Sequence, residues 1–253
     1  TNEVIAASTG YKIRVLSYVL ASAGTLTAQF LSKSSLDDSY SESNAGATVS
    51  LYSGSVVRYG QSFTATNSGL LETCKFYLSK TLAPTGNVTA ALYAHTGTLG
   101  TSSTPTGAAL ATSGNVDIAT AVATSAGLIT FTFTAANRVA LVAGTNYCIE
   151  VLYSGGDSSN YLKVGVDTSS PTHTGNAFTY TIGYAAVATS DVPFYLYDST
   201  YLTGAMTLVV GQPQVNPLQR EGIMETKSGE ALNMTLSTTT QVSGHLTYSL
   251  IGA

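Results

Sequence analysis

Alternation with a period of two residues runs through almost the whole chain and limits the folds that it can adopt. Segments such as GQSFTA, LETCKFYLS and HLTYSLI alternate in polarity, and clusters of Gly, Ser, Asn, Asp or Pro bound them. This pattern predicts β-strands, whereas no window of about ten residues has the spacing of an amphipathic helix. We therefore predict an all-β fold of about sixteen short strands, arranged as sandwiches or barrels.

Charged residues make up only 9% of the 253 residues, and the formal net charge is −4. The ten Lys and Arg residues are scattered, so no nucleic-acid partner is expected, because phosphate recognition needs clustered basic side chains. No run of about 18 apolar residues is long enough for a membrane span. The N-terminal segment also lacks the uninterrupted apolar stretch of a signal peptide, and no membrane partner is expected.

The two ends of the chain each contain strands without neighbours to cover them. The ending GEALNMTLSTTTQVSGHLTYSLIGA has two alternating segments, and an isolated hairpin is at best marginally stable. Residues 33–47, KSSLDDSYSESNAGA, are Ser-rich and acidic, which predicts a linker. Pairing the ends predicts one split domain from residues 1–32 and 200–253, with a second domain at 48–199 inserted in a surface loop.

The strand in YKIRVLSYVLAS has apolar residues on both faces. Such a strand is typically covered on both sides, either inside a sandwich or at a contact between subunits. We predict that its central part forms subunit contacts through Val15, Leu16, Tyr18 and Leu20. The alternating apolar residues of the last strand are predicted to lie in the core beside them, and these are Leu246, Tyr248 and Leu250.

The two ends also resemble a known type of domain. The strand GYKIRVLSY, the turn LTGAM and the ending ETKSGEALNMTLSTTTQVSGHLTY occur in this order. They resemble a small jelly-roll domain of virion proteins from tailed bacteriophages, and such domains are similar to the trimeric jelly rolls of the tumour-necrosis-factor type. This resemblance implies a discontinuous jelly roll that forms a homotrimer.

The inserted segment resembles a different module. GQSFTATNSGLLETCKFYLSK, ITFTFTAANRVALVAGTNYCIEVLY and VPFYLYD are similar to parts of a carbohydrate-binding-like β-sandwich that occurs in phage and bacterial surface proteins. The resemblance implies a sandwich fold for most of residues 48–197. It does not decide whether a sugar is bound, because a fold hosts many functions.

Titratable residues do not form the pattern of a catalytic site. The three histidines, His95, His173 and His245, lack the spacing of a metal motif, and no pair of carboxylates stands out for glycoside hydrolysis. We therefore expect no enzyme activity and no cofactor. In SGGDSSNY, Asp157 and Asn160 offer oxygen ligands for a structural Ca²⁺, although a calcium shell needs six or more oxygens and both residue types are common in turns.

Together these features predict a non-enzymatic phage structural protein. The expected role is a homotrimeric capsid decoration protein on the outer surface of the head, with the major capsid protein as its partner. The alternative is a tail or fibre adhesin whose inserted sandwich binds a host surface glycan. That alternative depends on exposed tyrosines among the 16 in the chain, because exposed aromatic patches mark interaction sites.

Overall fold

The computed structural model describes residues 2–134 and 137–252, and at residues 33–35 it describes the backbone alone. Residues 1, 135, 136 and 253, which belong to the predicted domains, lie outside the described residues. The described chain is almost entirely β, so the all-β prediction is confirmed. Its finer assignment as a discontinuous jelly roll stays a prediction.

Two short helical elements lie within the described residues. These are a 3-10 helix at Glu42–Asn44 and a single α-helical turn at Ile118–Ala121. In the part of the chain that the structure describes, no helix is long and apolar enough to cross a membrane.

The chain divides into two compact units. Unit 1 combines Thr1–Ser35 with Ser199–Ala253, and unit 2 consists of Leu36–Asp198. The boundaries predicted from the sequence, at residues 32 and 200, lie close to these positions. The chain passes from one unit to the other within two strands, β3 (Leu26–Tyr40) and β16 (Phe194–Tyr201).

Unit 1 contains two layers of antiparallel strands. Besides β3, its strands are β1 (Asn2–Ile5), β2 (Tyr11–Ser22), β17 (Met206–Leu208), β18 (Gln214–Asn216), β19 (Met224–Glu225), β20 (Leu232–Leu236) and β21 (Val242–Gly252). In one layer β20 lies between β1 and β3, and β17 also pairs with β3. In the other layer β2 pairs with β21 along one edge and with β18 and β19 along the opposite edge.

Unit 2 is a second sandwich with its own core. Besides β16, its strands are β4 (Ala47–Leu51), β5 (Arg58–Thr64), β6 (Gly69–Thr81), β7 (Asn87–Thr96), β8 (Thr104–Thr112), β9 (Val116–Asp117), β10 (Gly127–Thr132), β11 (Ala140–Leu141), β12 (Asn146–Leu152), β13 (Tyr161–Val166), β14 (Ala177–Tyr180) and β15 (Tyr184–Val187). One layer contains β16, β6, β13 and β4, with β10 and β11 paired to β6. The other has the order β15-β14-β5-β12-β7-β8, and β9 pairs with β7.

The number of strands differs from the prediction because some strands are too short to show alternation. The described residues form 21 strands, of which β9, β11 and β19 have only two residues each. Two residues cannot establish a period of two, so sequence patterning misses them.

The predicted linker at residues 33–47 is wrong, because most of this segment is regular structure. Strand β3 continues to Tyr40, and Ser41 then caps the 3-10 helix by accepting the backbone N–H of Ser43. Asp37 is buried and accepts the backbone N–H groups of Thr66 and Asn67 at 3.0 and 2.7 Å. The acidic residues that suggested a solvated linker are therefore hydrogen-bond acceptors that fix the start of unit 2.

Replacing Asp37 with Ala is expected to destabilise unit 2. The two backbone N–H groups lose a charged acceptor, which costs about 1 to 3 kcal/mol of unfolding free energy. Urea unfolding of the full chain measures this loss. Leu36→Thr is the matched control, because the neighbouring Leu36 is exposed and its replacement leaves both hydrogen bonds intact. Equal stability of the two variants would show that the hydrogen bonds of Asp37 do not stabilise unit 2.

Candidate functional site

A β-bulge at Leu16 decides which residues of β2 enter the core of unit 1. The register with β21 shifts between Val15 and Ser17, so one extra residue reverses the alternation from that point. As a result Val15, Tyr18 and Leu20 all face the same core and are buried there. The sequence of β2 therefore looks apolar on both faces because the alternation of buried and exposed residues is shifted by one residue at the bulge.

The prediction of a subunit contact through Val15, Leu16, Tyr18 and Leu20 is therefore wrong for Val15 and Tyr18, which are buried in the core of their own chain. Val15 is fully buried, and Tyr18 and Leu20 are 4% and 6% exposed within their own chain. Val15 and Tyr18 cannot contact another subunit without opening the core, whereas Leu20 lines a groove beside β21. Only Leu16, the bulge residue, is half-buried.

The last strand is more exposed than its sequence suggests. Leu246, Tyr248 and Leu250 lie directly opposite Tyr18, Val15 and Ile13 of β2, and paired residues of an antiparallel sheet share a face. They therefore point towards the core side, yet Tyr248 is 46% and Leu250 is 48% exposed. Their prediction as core residues is therefore wrong for Tyr248 and Leu250, whereas Leu246 is partly buried and packs against the core of unit 1.

A groove accompanies this uncovered strand. It has a volume of about 240 Å³ and lies where β21 passes the strands of the opposite layer. Its walls are largely apolar, and they consist of Val4, Leu20, Phe30, Met234 and residues 242–246. The core of unit 1 is thus accessible from one side.

Exposed apolar side chains are concentrated in unit 1. Of 14 exposed large apolar side chains among the described residues, eight belong to this unit although it is the smaller one. The eight are Tyr11, Tyr201, Val209, Val210, Val215, Leu218, Tyr248 and Leu250. Single exposed apolar residues are ordinary, whereas contiguous apolar patches mark interaction surfaces. Tyr248 and Leu250 share one face of β21, and the other clustered group lies within residues 209–218.

In unit 2 the unusual feature is a buried carboxylate surrounded by tyrosines. Glu150 lies on β12 with Cys148, on the face opposite the main core. Alternation along the strand puts these two residues on one face, and that face is buried, since both Cys148 and Glu150 are 0% exposed. Phe178 packs over Gly60, where an added Cβ would lie 2.7 Å from the phenyl ring.

Arg58 and three tyrosines complete this cluster. The Arg58 guanidinium donates to the Tyr93 hydroxyl at 2.8 Å, the Tyr184 hydroxyl at 3.0 Å and Glu150 Oε1 at 3.1 Å. Tyr184 in turn donates its hydroxyl proton to Glu150 Oε2 at 3.0 Å. The guanidinium also lies 5.0 Å above the Tyr180 ring, a cation–π contact.

Burial controls the ionisation of this cluster. Removal from water raises the pKa of Glu150 to about 7, because the attraction of Arg58 and the Tyr184 hydrogen bond only partly offset the lost solvation. Burial and the nearby Glu150 charge also raise the pKa of Tyr184. Arg58 and Tyr184 direct their hydrogen bonds at the buried carboxylate, so this polar cluster is satisfied within the sheet. Its half-buried members are Arg58, Tyr180 and Tyr184.

A second polar network surrounds His173. Its Nδ1 accepts from the Gly175 N–H at 3.0 Å and from the Gln61 amide at 3.1 Å, and its Nε2 contacts Asp38 at 3.2 Å. Gln61 also donates to Asp191 at 2.8 Å. Both ring nitrogens are occupied by groups that hold the fold together, so this histidine is a structural residue.

The proposed calcium ligands do lie together, but as a turn. Asp157 Oδ1 accepts the backbone N–H groups of Ser159 and Asn160 at 2.7 and 2.8 Å, and the Asn160 amide nitrogen also faces the carboxylate. The Asn160 oxygen accepts from the Ala83 N–H at 3.2 Å. The Asx turn explains both residues, and the described residues contain no group of three or more His, Cys, Asp or Glu arranged to hold a metal.

The raised pKa of Glu150 predicts a pH-dependent stability. An unfolded glutamate titrates near 4.5, so between this pH and about 7 the folded protein holds a proton that the unfolded chain has released. The contribution of Glu150 to the free energy of unfolding therefore falls as the pH rises through this window, by up to about 3 kcal/mol. Urea unfolding between pH 4 and about 8 measures this decline.

Glu150→Gln is expected to remove most of the decline, since Gln keeps the size of the side chain without an ionisable proton. Glu221→Gln is the control, because Glu221 is exposed and its replacement should preserve the decline. An unchanged decline in Glu150→Gln would contradict the assignment.

No protein-family model and no curated protein matches this sequence. The resemblances of its motifs to a phage jelly roll and to a carbohydrate-binding-like sandwich therefore stay interpretations of the sequence. The function has to be argued from the uncovered strand of unit 1 and the tyrosine cluster of unit 2.

Proposed function

We propose that this chain is a non-enzymatic structural protein of a bacteriophage virion, namely a homotrimeric decoration protein on the outer surface of the capsid. In this proposal unit 1 is a discontinuous jelly roll that holds the three copies together and contacts the major capsid protein. Unit 2 is a carbohydrate-binding-like sandwich displayed at the particle surface.

The concentration of exposed apolar side chains in unit 1 carries this proposal. Unit 1 leaves β21 and its groove uncovered, whereas the large apolar residues of unit 2 are mostly buried in its own core. A partner that covers unit 1 gains the free energy of removing this apolar surface from water, about 25 cal/mol per Å². Unit 1 is therefore the assembly unit in this account.

The low charge content also supports an assembled protein. Only 9% of the residues are charged, and hydroxyl-bearing and small residues take their place. Such a surface is soluble without strong repulsion between neighbouring copies, which suits a protein surrounded by others on a particle.

The mechanism in this proposal is mass action. A protein that binds only the assembled shell stabilises that shell, by about 3 kcal/mol per site when its free concentration is about 100 times its dissociation constant. Three linked copies add avidity, because the second and third contacts form at a high effective concentration.

The alternative function, a tail or fibre adhesin, is favoured by one observation in unit 2. The ring centroids of the half-buried Tyr180 and Tyr184 lie 4.9 Å apart, beside Arg58. Aromatic rings of this kind can stack on a sugar. A glycan array with the full chain separates the two proposals. Binding that is lost in Tyr180→Ala would favour the adhesin.

Light scattering of the full chain is expected to give the mass of three chains, and the trimer is expected to sediment with capsids of the phage that carries the gene. Leu218→Ser should weaken self-association about tenfold or more, because a buried leucine contributes about 1.5 kcal/mol or more to a contact. Leu218 is 64% exposed in unit 1.

Ile182→Ser provides the matched control, since Ile182 is 96% exposed but belongs to unit 2. This variant should assemble and bind capsids like the unmodified protein. A protein that remains monomeric at all concentrations and does not bind capsids would contradict the proposed function.

A further inference from the structure

The last strand of unit 1 has one backbone edge without a partner strand. Across the described residues, β21 pairs with β2 along its length and with no other strand. Its sequence, VSGHLTYSLIG, contains no Asp, Glu, Lys or Arg. Soluble monomers usually protect such an edge with charges, prolines or a covering segment. The β21 edge has neither such charges nor prolines, and it exposes Tyr248 and Leu250. It is therefore suited to being covered by another chain.

Strand β18 forms part of the opposite edge of the same sheet and has no charged residue, whereas the rest of that edge is β19, where Glu225 pairs with Arg14. β18 pairs with residues 18–20 of β2, on the side away from β21. The segment from β17 through β18 to residue 219, MTLVVGQPQVNPLQ (residues 206–219), contains no charged residue. This segment contributes four of the exposed side chains of unit 1, and they are Val209, Val210, Val215 and Leu218.

We infer that these two surfaces bind each other in neighbouring copies of the chain. The β21 edge, meaning β21 with its groove, receives the β18 edge, meaning residues 206–219, of the next copy. The inference deepens the proposed function, because it rests on the self-association of unit 1 and names the two surfaces that form the contact.

Charge favours a second copy of this chain as the occupant. Neither β21 nor residues 206–219 has an Asp, Glu, Lys or Arg side chain, so a contact limited to these two segments buries no such ion and places no like charges side by side. A partner with a charged docking segment would have to leave its charges unpaired against the β21 edge.

The positions of the two surfaces determine the symmetry. They lie on opposite edges of one narrow sheet, so each copy offers one surface of each kind. A contact between unlike surfaces is heterologous, and repeated contacts of this type close into a ring when the rotation allows it. A ring of three agrees with the proposed homotrimer. A contact of β21 with another β21 would instead be isologous and would stop at a dimer.

Two single variants and their mixture test this arrangement. Leu250→Lys places a charge on the β21 edge, and Val215→Lys places one on the β18 edge. Both residues are about half exposed, so neither substitution opens the core, and thermal unfolding monitors the integrity of each variant. Each variant alone retains only one functional surface and is expected to be monomeric by light scattering.

An equimolar mixture is expected to form a complex of two chains, because the intact β18 edge of Leu250→Lys can bind the intact β21 edge of Val215→Lys. The second contact is blocked on both sides, so the ring cannot close. The inference is overturned if Val215→Lys still assembles alone, if the mixture stays monomeric, or if neither variant changes the mass of the assembly. In these cases self-association of the unmodified protein would still stand, whereas a monomeric unmodified protein would overturn the proposed function as well.

Discussion

Unit 1 depends on the antiparallel pairing of β2 with β21. This pairing joins residues 11–22 to residues 242–252 and so brings the two ends of the chain into one sheet. Closing so long a loop is tolerated because its entropic cost grows only slowly with length. The bulge at Leu16 then selects the residues of β2 that enter the core, and the position of β21 at the edge leaves Tyr248 and Leu250 uncovered. The candidate interaction surface thus follows directly from the way the chain closes.

Unit 1 leaves apolar side chains exposed, whereas unit 2 buries polar side chains where water is excluded. Glu150 is fully buried and receives hydrogen bonds from Arg58 and Tyr184, and Asp37 accepts two backbone N–H groups. A buried carboxylate is costly even when it is paired, which explains the raised pKa of Glu150. These hydrogen bonds supplement the apolar core of unit 2. Because Glu150 titrates at a raised pKa, they also make the stability of this unit depend on pH.

The sequence was sufficient for the all-β class because a period of two is a local property of each segment. It failed at Leu16, because a bulge changes the phase of alternation and looks like a strand with two apolar faces. It also failed at Tyr248 and Leu250, because the extent of the opposite layer is set by distant residues. The sequence also does not reveal the cluster around Glu150, because its partner Arg58 lies on another strand. Only the register between the two strands brings these side chains together.

In the proposed assembly, unit 1 forms the contacts between copies and unit 2 does not. Hydrogen exchange of the full chain at low and high protein concentration tests it most directly, because each backbone amide reports its own protection. We expect added protection at high concentration in residues 242–252 and 206–219, with unit 2 unchanged. Added protection in unit 2 alone, or none anywhere in unit 1, would contradict the account.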